Sequence, residues 1–379
     1  MMKKSLILIL AIAMSLSMVL AGCGEKKDAD ETPDKTNGDT ADPLKVLLLI
    51  NGNTGDLSFF DSAANGMKLI KEKYGDAVET KVTEMGFDET KWEPSLRDAS
   101  EEDWDIIIVG TWNMEESLTE IALEYTDKKY IIFDTTVNYE DNDLPNVYSV
   151  TYKQNEGSFI AGVLAARITT SDMPLANEEK VIGFLGGFEG PVINDFLVGY
   201  IQGAQYIDEE VKVAVSYIGS FEDSAKGKEM ALVQYNNGAD IGYNVAGQAG
   251  LGQIEAAKEV NRYAIGVDSD QALEFKDKDP EKAELIATSV LKRVDNSLLR
   301  AIDKHIEGTL SYGQAESLGF KEEAIVLADN EFSDKLISDE LKQELKEIEE
   351  KIINGEIEVK SAITMEQKEL DELKDSVRP

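Results

Sequence analysis

Cysteine, histidine and basic residues are scarce in this chain. Its 379 residues include one Cys and one His, which cannot form a Cys/His zinc site, a disulfide framework or catalytic machinery that needs two of either residue. Lys and Arg number 38 against 74 Asp and Glu, so the formal charge is -36. A surface this acidic repels phosphate backbones and argues against nucleic acid as a partner. The side-chain groups that remain available for binding or catalysis are carboxylates, hydroxyls, amides and aromatic rings.

Long apolar runs are absent beyond the N-terminus. Residues 1–22 contain two lysines, a short apolar stretch and small residues, which is typical of a secretory signal peptide that is removed. The sequence LAGC at 20–23 resembles the bacterial lipobox, and an incidental Cys after a simple signal peptide is the alternative. We therefore predict an acylated Cys23 that anchors the protein at the outer face of a bacterial cell membrane, without a spanning helix.

The rest of the chain divides by composition. Residues 23–42 lack large apolar side chains and predict a flexible tether. The length and the 42% hydrophobic content predict two domains with cores of their own. Residues 333–354 predict a packed helix that ends near Gly355, whereas 360–379 are mostly polar and predict a loosely held tail.

Short aliphatic runs alternate with amphipathic segments from residue 44 onward. Runs that are apolar on both faces are typical of parallel strands covered by helices, so the pattern predicts a doubly wound α/β fold. In such folds ligands bind beyond the carboxyl ends of the strands. The predicted strands are 45–50, 78–83, 105–109, 130–133, 147–151, 181–185, 211–217, 241–245, 264–267, 285–290 and 324–327.

Aromatic residues follow two of these strands. Phe59 and Phe60 lie after the first strand, and Phe221 follows the seventh. Rings offered from two domains could sandwich a flat ligand such as a nucleobase. Taken singly, each Phe is better explained as a core residue or as a hydrophobic contact at a helix start.

Carboxylates and glycines follow other strands. Asp268 comes directly after the ninth strand, where it could accept hydrogen bonds from two neighbouring hydroxyls, cap a helix or belong to a calcium loop. Asp134 ends the fourth strand and could accept from a base N–H. The glycine-rich turn at 247–252 could bring backbone N–H groups to a ligand, but it lacks the Lys-Ser/Thr of a P-loop.

Seven segments of the chain, in order, carry a recognisable pattern. They are DLSFFDS (56–62), NVYSVTYKQNEGSFIAG (146–162), VIGFLGG (181–187), YIGSFEDSAKGKE (217–229), GAD (238–240), IGVDSDQ (265–271) and TSVLKRVD (288–295). Together they closely resemble the basic membrane protein family, the purine nucleoside receptor lipoproteins that serve ABC importers. The likeness runs from about residue 46 to 359.

This resemblance implies a type I substrate-binding fold of two α/β lobes joined by crossover strands. It implies a first lobe from 44–150 and about 287–316, and a second from 151–286 and about 317–359. By position, Phe59 and Phe221 match the pair that sandwiches the base, and Asp134 matches the base-edge acceptor. Asp268, Lys292 and Gly247 match the ribose side of the site. Asp56, Ser58, Phe60 and Trp112 are further candidates.

Two departures from the family pattern bear on the ligand. The family usually carries Asn where this chain has Phe60, and Thr111-Trp112-Asn113 stands where a Gly-Phe run is commoner. The resemblance implies a nucleoside, preferably a purine, as the ligand, and these two departures leave riboflavin or a sugar as alternatives. An enzyme such as a nucleoside hydrolase is the rival of another class, but the carboxylates lie on separate loops. We expect a monomeric, non-catalytic receptor without cofactor or metal, and an ABC permease with its ATPase as partners.

Overall fold

Two six-stranded sheets organise residues 42–379, the part of the chain that the computed structural model describes. The predicted signal peptide, Cys23 and the tether as far as residue 41 lie outside the described residues. All eleven predicted strands are present within a few residues of their expected bounds. The strands are β1 Leu44–Ile50, β2 Val78–Glu84, β3 Ile106–Gly110, β4 Lys129–Phe133, β5 Val147–Tyr152, β6 Val181–Gly186, β7 Lys212–Tyr217, β8 Ala239–Val245, β9 Tyr263–Val267, β10 Ile286–Lys292, β11 Gln314–Leu318 and β12 Ile325–Leu327.

The strand order confirms the doubly wound α/β prediction. The first sheet has the order β11-β5-β4-β3-β1-β2 with all pairs parallel, and the second has β12-β10-β9-β8-β6-β7 with only β12 antiparallel. Every residue of β3 and of β8 is buried. Burial on both faces explains why β3 is a continuous apolar run.

Helices cover both sheets. Within residues 42–379 none of the helices combines the length and the apolar character that crossing a bilayer requires. Short 3-10 turns span Gly75–Ala77, Glu89–Lys91, Trp112–Met114 and Phe320–Glu322. The α-helices are α1 Phe59–Tyr74, α2 Trp92–Glu101, α3 Glu115–Glu124, α4 Gln154–Thr169, α5 Pro191–Ile207, α6 Ser224–Asn236, α7 Gly247–Val260, α8 Gln271–Phe275, α9 Pro280–Ala283, α10 Val294–Ile306, α11 Ser333–Leu336, α12 Asp339–Ile353 and α13 Gln367–Ser376.

Three connections carry the chain between the sheets: β5 to β6, β10 to β11, and β11 to β12. The boundary expected at residue 286 is wrong, because β10 pairs parallel with β9 in the second sheet. Residues 287–292 therefore belong to the second lobe, and the first lobe resumes with α10, which packs on α1. The second boundary also shifts, since β11 extends to Leu318 in the first sheet.

Strand β11 was not predicted. Its sequence, Gln-Ala-Glu-Ser-Leu, has four exposed or half-buried residues and one buried residue, so it carries no apolar signal. Glu316 in this strand accepts hydrogen bonds from Arg300 and from the Tyr148 hydroxyl. Polar side chains fix this edge strand, and only the folded chain brings them together.

The C-terminal segment is ordered differently from the expectation of a loosely held tail. It contains α13, from which Leu370 is buried, and the following Val377 is also buried. The predicted helix at 333–354 divides into α11 and α12, and α12 buries Leu345, Ile348 and Ile352 before the chain turns at Gly355. A few apolar side chains are enough to dock a helix whose composition is mostly polar.

Helices α4 and α5 approach each other through glycines. A Cβ atom on Gly203 would overlap the carbonyl oxygen of Phe159, and one on Gly199 would overlap that of Asn155. In the same way, a Cβ atom on Gly162 of α4 would overlap the carbonyl oxygen of Tyr200 in α5. The two backbones therefore pack at a distance that excludes any side chain at these positions.

We predict that Gly203→Ala lowers the free energy of unfolding by about 2 kcal/mol, because overpacking outweighs the gain in helix propensity. Urea denaturation followed by circular dichroism measures this change. Glu229→Ala, at an exposed position of α6, is the control and should stay within about 0.5 kcal/mol of the parent. Equal stability of the two variants would contradict the close-packing interpretation.

Candidate functional site

A cavity of about 470 Å³ lies between the carboxyl ends of the two sheets. Its walls come from segments that follow β1, β2, β3 and β4 on one side and β6, β7, β8, β9 and β10 on the other. This volume falls within the range of about 300–1,000 Å³ that is usual for small-molecule sites. Nine of the ten residues predicted from the sequence line it: Asp56, Phe59, Phe60, Trp112, Asp134, Phe221, Gly247, Asp268 and Lys292.

A buried ion pair joins the two lobes at this cavity. Lys292 Nζ lies 2.7 Å from Asp134 Oδ1, with 3% of the lysine side chain and 6% of the aspartate side chain exposed. Asp268 stands beside this pair and accepts a 2.8 Å hydrogen bond at Oδ2 from the Ser58 hydroxyl. Each carboxylate thus keeps one oxygen without a hydrogen-bond partner among residues 42–379. These two oxygens are available to hydrogen-bond donors on a ligand.

Aromatic faces surround the lysine head group. Its Nζ lies 4.8 Å from the ring centre of Phe196, 5.2 Å from that of Phe59 and 5.6 Å from that of Tyr152. Cation–π attraction of this kind compensates part of the lost hydration. The Lys292 side chain is therefore buried at the cavity and is not exposed to solvent.

Burial controls the titration of both carboxylates. It raises the pKa of Asp268 to about 6, while the charge of Lys292 and the Ser58 hydroxyl act in the opposite direction. Burial also raises the pKa of Asp134, against the opposing effect of Lys292. Two acids and one base share a site with little water, so a ligand must offer donors rather than negative charge.

Both carboxylates sit on unusual backbone. Asp134 has φ 66° and Asp268 has φ 63°, at the ends of β4 and β9, and Thr111 after β3 has φ 71°. Non-glycine residues in this left-handed region cost of order 1 kcal/mol each and are often found at binding sites. The repeated conformation turns the side chain that follows a strand toward the space between the sheets.

The aromatic rings form two opposed groups. On the first lobe, the ring centre of Phe59 lies 5.3 Å from that of Phe60 and 5.5 Å from that of Phe133. On the second lobe, the ring centre of Phe221 lies 5.2 Å from that of Phe188. Phe59, Phe60 and Phe221 are half-buried and line the cavity instead of filling the core of their own lobes. The two groups therefore present flat apolar walls to the same space.

One aromatic contact crosses between the lobes. The Trp112 ring lies 6.0 Å from that of Phe221, and Trp112 is also the nearest neighbour of Gly190 across the cleft. The two lobes thus touch at the mouth of the cavity as well as at the buried ion pair.

Two predicted residues have structural roles. The Asp56 carboxylate accepts backbone hydrogen bonds from Ser58, Phe60 and Asp61, so it caps the start of α1 although it borders the cavity. Ser58 is fully buried and does not line the cavity; it lies behind Asp268, to which its hydroxyl donates. Asp56 holds the start of α1 and Ser58 holds Asp268, so both residues support groups that line the cavity.

Other acidic and histidine side chains have roles outside the cavity. Asp270 caps α8 through the backbone N–H of Leu273 and accepts from Asn330, so it does not pair with Asp268. Within residues 42–379 no group of three or more His, Cys, Asp or Glu is arranged to hold a metal ion. His305 lies in the last turn of α10 beside the Tyr312 hydroxyl, remote from the cavity lining.

Sequence reasoning missed Asn51. It follows β1, lines the cavity and donates through Nδ2 to the Thr111 hydroxyl at 2.7 Å. Its Oδ1 is buried and has no hydrogen-bond partner among the described residues. An orphaned buried acceptor is costly unless a ligand or water satisfies it. The signal was a polar residue directly after the apolar run 46–50.

Two α/β lobes that enclose a cavity with groups from both walls define a ligand receptor of the two-lobed substrate-binding class. A family model described as ABC transporter substrate-binding protein, PnrA-like, matches residues 44–362. The chain therefore belongs to this family. Its members are extracytoplasmic, membrane-associated substrate-binding proteins and not enzymes, which confirms the predicted non-catalytic class.

Individual relatives agree with the family. Basic membrane protein A of Borreliella burgdorferi is 34% identical over 321 residues, which cover 84% of this chain and 88% of the relative. The ABC transporter nucleoside-binding protein BmpA of Lactococcus lactis is 29% identical, over 95% of this chain and 100% of the relative. A solved ABC transporter solute-binding protein from Aeropyrum pernix superposes with a TM-score of 0.77 at 28% identity, covering 88% of this chain and 98% of that chain.

We predict that Lys292→Met lowers the free energy of unfolding by about 3 kcal/mol, because it leaves the Asp134 carboxylate buried without its partner. The double variant Lys292→Met with Asp134→Leu should recover much of this loss, since the uncompensated charge is gone. Chemical denaturation of both variants measures the difference. A single variant as stable as the parent would mean that the pair is not buried in solution.

We also predict that thermal stability rises by about 3 to 5 °C between pH 7.5 and pH 5.5. Burial raises the pKa of Asp56, Asp195, Asp240 and Asp268 to about 6 in each case. A raised carboxyl pKa contributes stability that is complete below the unfolded value and is lost as the pH rises through about 6. Calorimetry repeated at high salt separates this effect from net surface charge, which salt screens. A lower melting temperature at pH 5.5 would contradict the prediction.

Proposed function

We propose that this protein captures a nucleoside, preferably a purine nucleoside, outside the cytoplasm and delivers it to an ABC import permease. The observation that carries the proposal is a pair of buried carboxylates, Asp134 and Asp268, that flank Lys292 and each keep a free oxygen beside facing aromatic walls. A nucleoside offers a flat base, ring N–H groups and two neighbouring hydroxyls, which match these features. The curated name of the Lactococcus lactis relative, a nucleoside-binding protein, agrees with this chemistry.

In this proposal the base lies between Phe59 and Phe221. Stacking on an aromatic side chain contributes about 1–3 kcal/mol per base. The free oxygen of Asp134 accepts from the edge of the base, and that of Asp268 accepts from the ribose hydroxyls while Lys292 donates to them. The unpartnered Asn51 Oδ1 supplies a further acceptor on the first lobe. Gly247, which begins α7 with φ 53°, lets the backbone approach the sugar closely.

Ligand binding and transport would be coupled through closure of the lobes. The proposed contacts come from both walls, so a nucleoside binds the closed arrangement more tightly than an open one and shifts the population toward it. The permease then recognises the closed shape. Acylation of Cys23, with residues 23–42 as a tether, would keep the receptor beside that permease as a monomer.

A receptor for a larger flat ring, such as riboflavin, is the second candidate. The observation that favours it is the number of rings at the cavity, since Phe60, Trp112 and Phe188 add to the two that a base would need. A sugar receptor is less suited, because a sugar presents hydroxyls on most of its surface and these walls are apolar.

The test is isothermal calorimetry of residues 43–379 with adenosine, guanosine, inosine, cytidine, uridine, riboflavin and ribose. Binding of a purine nucleoside supports the proposal. Binding of riboflavin alone selects the second candidate, and binding of ribose alone contradicts both. Chromatography of the same mixtures after incubation reveals any product, whose appearance would revive an enzymatic function.

We predict that Phe221→Ala and Asp268→Asn each weaken nucleoside binding by at least about tenfold, because they remove one stacking face and one ionised acceptor. Asp270→Asn, which changes a nearby carboxylate outside the cavity, is the matched control for Asp268→Asn and should bind like the parent. Wild-type affinity in both cavity variants would overturn the site assignment even if a nucleoside is the ligand.

A further inference from the structure

Helix α13 is docked against the edge of the second sheet. The backbone N–H of Val213 in the edge strand β7 donates to the carbonyl of Val377 at 2.8 Å, and Lys212 Nζ donates to the carbonyl of Ser376 at 3.1 Å. Leu370 and Val377 are buried. The family match ends at residue 362, so this helix lies beyond the matched region.

Lys374 of α13 contacts residues at the mouth of the cavity. Its Nζ lies 5.3 Å from the ring centre of Tyr217 and forms an ion pair with Glu189, which lines the cavity. Only 18% of the lysine side chain is exposed. Lys374 is the only hydrogen-bonding or ionic partner that the Glu189 carboxylate has among residues 42–379.

Glu189 belongs to the short segment 187–190 that connects β6 to α5. The Phe221 ring packs so closely on Gly187 that it occupies the place of a Cβ atom, and the Phe188 ring lies 5.2 Å from it. The Gly187 carbonyl also accepts from the N–H of Gly219, on the segment that carries Phe221. The position of 187–190 therefore sets the position of the Phe221 ring.

We propose that α13 is a positioning element for the binding cavity, in which Lys374 holds Glu189 and thereby fixes segment 187–190 beneath the Phe221 ring. Backbone hydrogen bonds hold the two ends of this segment, from Gly187 to Val245 and from Asn194 to Gly190, whereas the Glu189 side chain between them is held by Lys374. The inference builds on the proposed function, because it assigns the Phe221 ring to ligand stacking. Lys374 is thus a positioning residue and makes no contact with the ligand.

Calorimetry of Lys374→Gln with guanosine and inosine tests the proposal. Loss of a half-exposed ion pair changes the affinity by a few-fold, so we expect binding about threefold weaker than wild type. The melting temperature should stay within about 2 °C of the wild-type value. Lys374→Arg should restore the affinity. Lys368→Gln is the matched control, since Lys368 pairs, within the described part of the chain, only with Glu372 on the exposed face of the same helix. Equal affinities for the Lys374→Gln and Lys368→Gln variants would overturn the proposal.

Hydrogen exchange of the ligand-free proteins provides a second, independent measurement. We expect faster exchange at the amides of Gly187, Gly219 and Ser220 in the Lys374→Gln variant, and no change in the Lys368→Gln variant. If wild-type protein binds neither nucleoside, the proposed function fails for these ligands, and exchange alone decides whether Lys374 fixes the segment. Unchanged exchange at these amides would overturn the proposal in that case as well.

Discussion

Lys292 and Asp134 form the contact on which the geometry of the cavity depends. The lysine ends β10 in the second sheet and the aspartate follows β4 in the first, so one buried ion pair spans both lobes. Burying two charges costs several kcal/mol per ion unless the geometry returns it. Here the attraction within the pair and the three ring faces around the lysine offset that cost. Such an ion pair contributes more to the relative position of the two lobes than to stability. It also leaves carboxylate oxygens available to a ligand.

The two lobes use the same backbone device to present their polar groups. A residue with positive φ follows β3 and β4 in the first sheet and β9 in the second. At each position the strain of order 1 kcal/mol is tolerated because the flanking parallel strands fix the chain on both sides. Polar groups and rings thereby converge on one space from segments that are far apart in sequence. Acceptors in the middle and rings on two walls suit a neutral ligand that is flat and rich in donors.

Most of the fold could be predicted from the sequence because parallel strands buried on both faces are continuous apolar runs. The exceptions are elements with no such signal. Strand β11 is polar and is fixed by Arg300 and Tyr148, whereas α13 is held by two apolar side chains and a backbone hydrogen bond to β7. The lobe boundary near residue 286 was misplaced for a related reason, since nothing in a strand's own residues states which sheet it joins.

At the cavity, nine of the ten predicted residues came from the strand-end pattern together with the family resemblance. By itself the sequence determined which side chains follow the strands, since alternating apolar and amphipathic segments fix where the strands end. Only the tertiary structure decided the use of each side chain. It put Ser58 behind Asp268, paired Lys292 with Asp134 and left Asn51 with an unpartnered oxygen. The reason is physical: hydrogen bonds and burial depend on distances between segments up to about 200 residues apart, and local sequence pattern carries no information about such distances.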